Sequence, residues 1–193
     1  MRIVGGAFAG RLLPGKPPEG TRPTADRVRE AVASAMQARG LLEGAVVLDL
    51  FAGTGALGLE ALSWGAEHLY AIDSSTAALR CIRMNADALG VSEQVSTRKV
   101  ELGRGSAREQ AEQIARLCAR PVTLLLADPP YAQLAALTPV LEALADGASS
   151  VLDPAAALLV EHAHKTPLPV PAGFIELARY RYGDTAVLLA ARA

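Results

Sequence analysis

Apolar and polar positions follow two rhythms along this chain. Apolar runs at residues 45–50, 68–72 and 122–127, with a weaker one at 94–99, read as strands. Stretches at 56–63, 75–89, 105–119 and 133–145 carry apolar residues at helical spacing. Strands and helices in strict alternation predict a parallel, doubly wound α/β sheet, because right-handed crossovers return each strand beside an earlier one. The run at 94–99 is polar for a buried strand, holding Gln94, Ser96, Thr97, Arg98 and Lys99. Later segments at 156–160, 174–180 and 186–190 are also extended, the last two flanking a Gly183-Asp184 turn.

The N-terminal part reads differently. Ile3-Val4 and Arg11-Leu12-Leu13 flank glycines and predict a hairpin, and a Pro/Gly-rich loop follows at 14–23. Thr24 reads as a helix N-cap. Val28, Ala31, Val32, Ala35 and Met36 then form an apolar stripe, Gly40 ends the helix, and Arg27 and Arg29 fall on its charged face. The pattern predicts one domain, with residues 1–23 as an arm and 24–193 as the core.

Two motifs give this frame a chemistry. Val46-Val47-Leu48-Asp49-Leu50-Phe51-Ala52-Gly53-Thr54-Gly55-Ala56-Leu57-Gly58 is an apolar run entering a glycine turn and then a helix, with Gly53, Gly55 and Gly58 in G-x-G-x-x-G spacing. Glycines there let backbone approach a ligand, and the helix N-terminus offers free N–H groups. Asp73 ends the next apolar run 20 residues beyond Gly53, where a carboxylate can accept from ribose hydroxyls, with Ser74 beside it. The second motif, Asp128-Pro129-Pro130-Tyr131, follows the strand at 122–127. Two prolines stiffen that turn and remove two N–H groups, so it presents an acceptor edge and an aromatic ring.

Both NAD and S-adenosylmethionine use a glycine loop followed by an acid. Hydride transfer has no use for an Asp-Pro-Pro-Tyr edge, whereas methyl transfer to a planar amine does. Asp128 and the Pro129 carbonyl can hold the amine hydrogens while Tyr131 stacks on the ring. In a doubly wound sheet ligands lie beyond the carboxyl ends of the strands, where Asp49, the glycine loop, Asp73 and Asp128 all fall.

The chain resembles the RsmD family of methyltransferases nearly end to end. The resemblance rests on Met1-Arg2-Ile3-Val4-Gly5-Gly6 with Gly10-Arg11, on Arg22-Pro23-Thr24-Ala25-Asp26-Arg27-Val28-Arg29-Glu30, on the Phe-Ala-Gly-Thr-Gly core between Asp49 and Glu60, on Asp128 to Tyr131, and on Tyr182-Gly183-Asp184-Thr185. It implies a seven-stranded, mostly parallel, Rossmann-like sheet of the class I methyltransferase type, with an antiparallel last strand. It also implies S-adenosylmethionine as donor, held by Asp49, Phe51, Ala52, Gly53, Thr54, Gly55, Leu57, Asp73 and Ser74, with Val100 or Glu101 at the adenine. Asp128, Pro129, Pro130 and Tyr131 are the implied catalytic residues. The implied acceptor is the N2 amine of a guanine in 16S ribosomal RNA, in an assembled or partly assembled small subunit. Two positions depart from the family pattern: Val100-Glu101 after the third strand, and Trp64 where relatives carry a basic residue.

Composition adds little beyond the distribution of charge. The 193 residues are 51% hydrophobic with a net charge of −1, which suits one α/β domain and argues against a wholly basic RNA-coating protein. Residues 1–39 hold seven Lys or Arg against three acids, a net +4. Arg2, Arg11, Arg22, Thr24, Arg27 and Arg29 are therefore candidate RNA contacts. No apolar stretch spans a bilayer and no signal-peptide core is present, so a cytosolic protein is expected; separately, a monomer is expected. Cys81 and Cys118 read as reduced packing residues in helices, and His162 and His164 share a strand face only if that strand runs so far; no metal is expected. Three other readings stay open: a small dehydrogenase, a methyltransferase acting on adenine N6 or a glutamine amide, and a non-catalytic RNA-binding assembly factor.

Overall fold

The computed structural model describes residues 1–15, 26–146 and 151–193, apart from the side chains of Asp26, Arg27 and Tyr131. The strands are Val46–Leu50 (β1), His68–Asp73 (β2), Val95–Lys99 (β3), Val122–Ala127 (β4), Leu152–Ala163 (β5), Phe174–Tyr182 (β6) and Thr185–Arg192 (β7). They pair in the order β3-β2-β1-β4-β5-β7-β6, parallel from β3 to β5 and antiparallel across β7 and β6. β1, β2 and β4 are apolar because both of their faces are covered. The polar character of β3 follows from its position: among the described residues it pairs only with β2, and its own residues are half-buried or exposed.

The helices are Asp26–Gln37 (α1), Ala56–Ser63 (α2), Thr76–Leu89 (α3), Ala107–Ala115 (α4) and Leu134–Ala145 (α5). One core layer joins α1, α2 and α3 to Val47, Leu124, Leu126, Ala157 and Leu159; the other joins α4 and α5 to Leu48, Leu50, Leu125, Ala127, Leu158 and Val160. α4 ends four residues sooner than its spacing predicts, which leaves Cys118 past the helix, half-buried, with burial pushing its thiol up to about 12. Cys81 stays inside α3, and both cysteines are free. β5 runs seven residues further than predicted in all, reaching Ala163; His162 lies within it and exposed His164 beyond its end, so the two share no face.

The predicted hairpin forms around a single bridge between Arg2 and Leu12, reinforced by Ile3 N–H to Arg11 O and Leu13 N–H to Met1 O. It is tied to the core through α2. Glu60, 1% exposed, accepts from Val4 N–H at 3.1 Å and Gly5 N–H at 2.8 Å, while the Ser63 hydroxyl accepts from Phe8 N–H. Trp64 donates its indole N–H to Glu60, and its ring lies so close to Gly5 that a Cβ there would fall 2.2 Å from it. Trp64 is therefore a packing residue, and Gly5 is required by close approach.

The buried stripe of α1 corrects the sequence reading. Val28, Arg29, Val32, Ala33 and Met36 are buried, while Ala31 and Ala35 are only half-buried. Arg29, expected on the charged surface, is 1% exposed and donates to the Arg2 carbonyl at 2.9 Å and to the Met1 sulfur. A charged residue tolerates that place because the hairpin carbonyl and the neighbouring Glu60 charge replace water.

Candidate active site at the carboxyl ends of the strands

Each site element sits where a strand stops. β1 ends at Leu50, and the chain turns through Phe51 in a left-handed conformation (φ 63°), a strained state that concentrates at functional turns. Gly55 (φ 76°) caps α2, aiming the free N–H groups of the helix at the crevice. Asp73 ends β2 half-buried; its Oδ2 accepts from Gly53 N–H and its Oδ1 from Ser75 N–H, both at 2.8 Å. That carboxylate thus shapes the glycine loop it faces, and it keeps lone pairs for a ligand hydroxyl.

A cleft of about 380 Å³ opens beside this loop and is lined by Phe51, Asp73, Ser74, Val100 and Glu101 among others. These five of the expected cofactor residues come together in one cavity. Ala52, Gly53, Thr54 and Gly55 form the loop at its side, with Leu57 half-buried in the first turn of α2. Glu101 is exposed and paired with Arg104 at 3.0 Å, whereas Val100 is buried. The cleft volume, the left-handed loop and the Asp73 carboxylate on the cleft wall fit an adenosine-bearing cofactor.

Asp49 lies beneath the loop instead of lining the cleft. It is 2% exposed and accepts from Gly58 N–H at 3.2 Å, and a Cβ on Gly58 would meet Leu69 at 2.5 Å and the Asp49 carboxylate at 3.1 Å. Burial pushes its carboxyl up to about 8; the Gly58 N–H opposes this, and the charges of Asp128 and Asp73 add to it. Asp128 therefore lies within electrostatic reach of Asp49.

Asp128 is half-buried, Pro129 buried and Pro130 exposed. The Pro130 carbonyl accepts from Gln133 N–H at 2.7 Å, closing a short turn at Tyr131–Gln133 that leads into α5. Among the expected RNA contacts, Arg2 is exposed and donates to Gly10 O at 2.7 Å. Arg11 donates to the Ala88 and Leu89 carbonyls and lies 5.5 Å over the Phe8 ring, so it caps the C-terminus of α3. A 14-residue helix separates that end from the Asp73 end by about 20 Å. Arg22 and Thr24 lie outside the described residues, as does the side chain of Arg27.

Two polar residues that sequence reasoning missed support the site, and a third lies near it. Buried Gln110 accepts from Gly103 N–H at 2.7 Å and donates to the Gly105 and Ser106 carbonyls, fixing the loop that walls the cleft. Its signal in the sequence is the Ser106-to-Glu109 capping box that positions α4. Asn85, fully buried, bridges the Thr54 carbonyl and Gly15 N–H. Glu161, 8% exposed, lies on β5 one residue past Val160, which pairs with Ala127.

Known proteins share this architecture. Residues 1–191 match the family model described as Conserved hypothetical protein 95. The chain is 29% identical over 195 residues to YlbH of Bacillus subtilis, provisionally named an rRNA methyltransferase, covering 98% of this chain and 97% of that protein. It is 35% identical over 134 residues to ribosomal RNA small subunit methyltransferase D of Escherichia coli, covering 68% of this chain and 60% of that protein. The solved structure of E. coli yhhF, provisionally named a methyltransferase, superposes with a TM-score of 0.77 at 30% identity, covering 100% of this chain and 97% of that one. On the near-complete family match, the chain belongs to the Conserved hypothetical protein 95 family, the RsmD family, and has its class I methyltransferase fold.

Proposed function

We propose that this protein methylates the exocyclic N2 amine of a guanine in 16S ribosomal RNA, acting as a monomer on an assembled or partly assembled small subunit. The carrying observation is the acceptor edge at Asp128-Pro129, rigid at the end of β4 and beside the glycine loop that follows β1. The names of the relatives in Bacillus and Escherichia support RNA as the acceptor.

S-adenosylmethionine, once bound, supplies an electrophilic methyl group on a sulfonium. Phe51, Ala52, Gly53, Thr54, Gly55 and Leu57 would hold it from the loop side, Asp73 and Ser74 at the ribose, and Val100 and Glu101 at the adenine. Asp49 sits beneath the loop, where it supports the turn. Asp128 and the Pro129 carbonyl hold the two amine hydrogens. This turns the nitrogen lone pair out of conjugation with the ring and gives the departing proton an acceptor at the Asp128 carboxylate. Pro130 keeps the turn rigid, and Tyr131 stacks on the base. Arg2, Arg22, Thr24 and Arg27 remain the proposed phosphate contacts.

The test is to incubate the protein with hypomethylated small subunits and methyl-labelled donor, digest the RNA and identify the labelled nucleoside. N2-methylguanosine is expected. A labelled N6-methyladenosine, or label in protein alone, overturns the reading.

A further inference from the structure

The motif residues do not account for Glu161. It is more than nine-tenths buried, although a carboxylate rarely is, and it stands at the same sheet edge as the acceptor turn. Its place follows from register. Ala127, the last residue of β4, pairs in parallel with Val160 of β5, so Asp128 just past β4 and Glu161 within β5 follow a pair whose strands run about 4.8 Å apart.

Alternation along the strands gives the face. Leu124 and Leu126 of β4, with Ala157 and Leu159 of β5, belong to the core layer under α1, α2 and α3; Leu125, Ala127, Leu158 and Val160 belong to the other. One step further along β5, period two returns Glu161 to the layer of α2, as does its pairing with Val187 of that layer. Asp49 also faces that layer through Gly58 on α2, and it feels the Asp128 charge.

We infer that Glu161 is a specificity-determining residue that accepts the N1–H of the target guanine beside the amine held by Asp128 and Pro129. The inference rests on the guanine-amine reading and decides what that reading leaves open. Adenine presents its amine next to the N1 lone pair, cytosine next to the N3 lone pair, and a glutamine amide next to its own carbonyl oxygen. Each sets a donor beside an acceptor. On guanine alone among these does the amine adjoin an N–H, so the edge presents neighbouring donors. An ionised carboxylate only accepts. Two acceptor groups side by side on neighbouring strands therefore complement guanine and repel the lone pair of the other three.

The test uses the full-length protein and small subunits reconstituted with RNA carrying either guanine or 2-aminopurine at the mapped target. 2-Aminopurine keeps the reacting amine, lacks the 6-oxo group and carries a lone pair in place of N1–H, so the change of ratio in the Glu161 variant reads the N1 contact. Wild type should methylate guanine about 10²-fold faster than 2-aminopurine. Glu161→Gln offers an amide that can donate to N1, and it should lose about 10²-fold on guanine while the guanine to 2-aminopurine ratio narrows to about tenfold or less. Binding of S-adenosylhomocysteine should not change.

A merely structural role would lower both substrates alike, so an unchanged ratio in Glu161→Gln overturns the inference. Should that variant fail to fold, the wild-type ratio decides by itself, and equal turnover of the two bases overturns it. Failure of the underlying reading is separately visible, as a labelled nucleoside other than N2-methylguanosine in the digest of unsubstituted subunits.

Discussion

At the carboxyl ends of the strands, Asp73 lines the cleft and Asp128 stands half-buried past the end of β4, whereas in the N-terminal segment Arg29 is 1% exposed and Arg11 is held on helix carbonyls. Both regions stand out in the sequence as rows of charged residues beside glycines and prolines. They differ in what backbone surrounds them. Where parallel strands stop, helices depart and leave an open crevice, so charge there faces a cavity. The N-terminal hairpin instead lies against α2 and α3, and its charges meet unpaired backbone groups. A net +4 over residues 1–39 thus overstates the charge free to bind phosphate, because part of it serves to hold the hairpin down.

Removing Arg29 tests this contrast most severely. Arg29→Ala empties a fully buried side-chain site, leaves the Arg2 carbonyl without its donor and removes a cation that favours the Glu60 carboxylate, so stability should fall by about 3 to 5 kcal/mol. Urea denaturation measures this, and an unchanged midpoint would return Arg29 to the surface role that the sequence suggests. At the crevice the matching substitution should spare the fold and remove activity. Asp128→Ala should lower methyl transfer by about 10² to 10³ with donor binding intact, read from labelled-methyl incorporation beside calorimetry. Near-normal turnover would break the assignment.

A smaller effect concerns Asp49, the acid beneath the glycine loop, which is buried like the charges of the N-terminal segment. Its carboxyl is held near 8 in the folded protein against 3.8 when exposed. Between those values the folded chain keeps a proton that the unfolded chain has released, so rising pH favours unfolding through this group. The contribution is at most about 1.4 kcal/mol per pH unit, and it flattens above about pH 8. Asp49→Asn should remove that slope from urea midpoints measured across pH 5 to 8 in ligand-free protein; a parallel pH profile would contradict it. The smallest effect belongs to Arg11. Arg11→Ala should cost about 0.5 to 1.5 kcal/mol for the lost cap and leave the salt dependence of RNA affinity unchanged. A log–log slope flatter by about 0.7 to 0.9 would instead show a phosphate contact.

The sequence by itself determined the alternation of strands and helices, the parallel sheet, the glycine loop after β1, the acid ending β2 and the Asp-Pro-Pro-Tyr turn. Those features are local: periodicity, turn chemistry and strand ends lie within a dozen residues of one another. Tertiary structure alone decided the face that α1 buries, because Arg29 is satisfied by a carbonyl 27 residues away and by the charge of Glu60, and no helical period records either. It also decided that β3 is an edge strand, and hence free to be polar, and that Asp49 lies under the loop rather than in the cleft. Glu161 was invisible for the same reason. Asp128 is 33 residues away in the chain, and only the pairing of β4 with β5 brings the two positions to the ends of neighbouring strands.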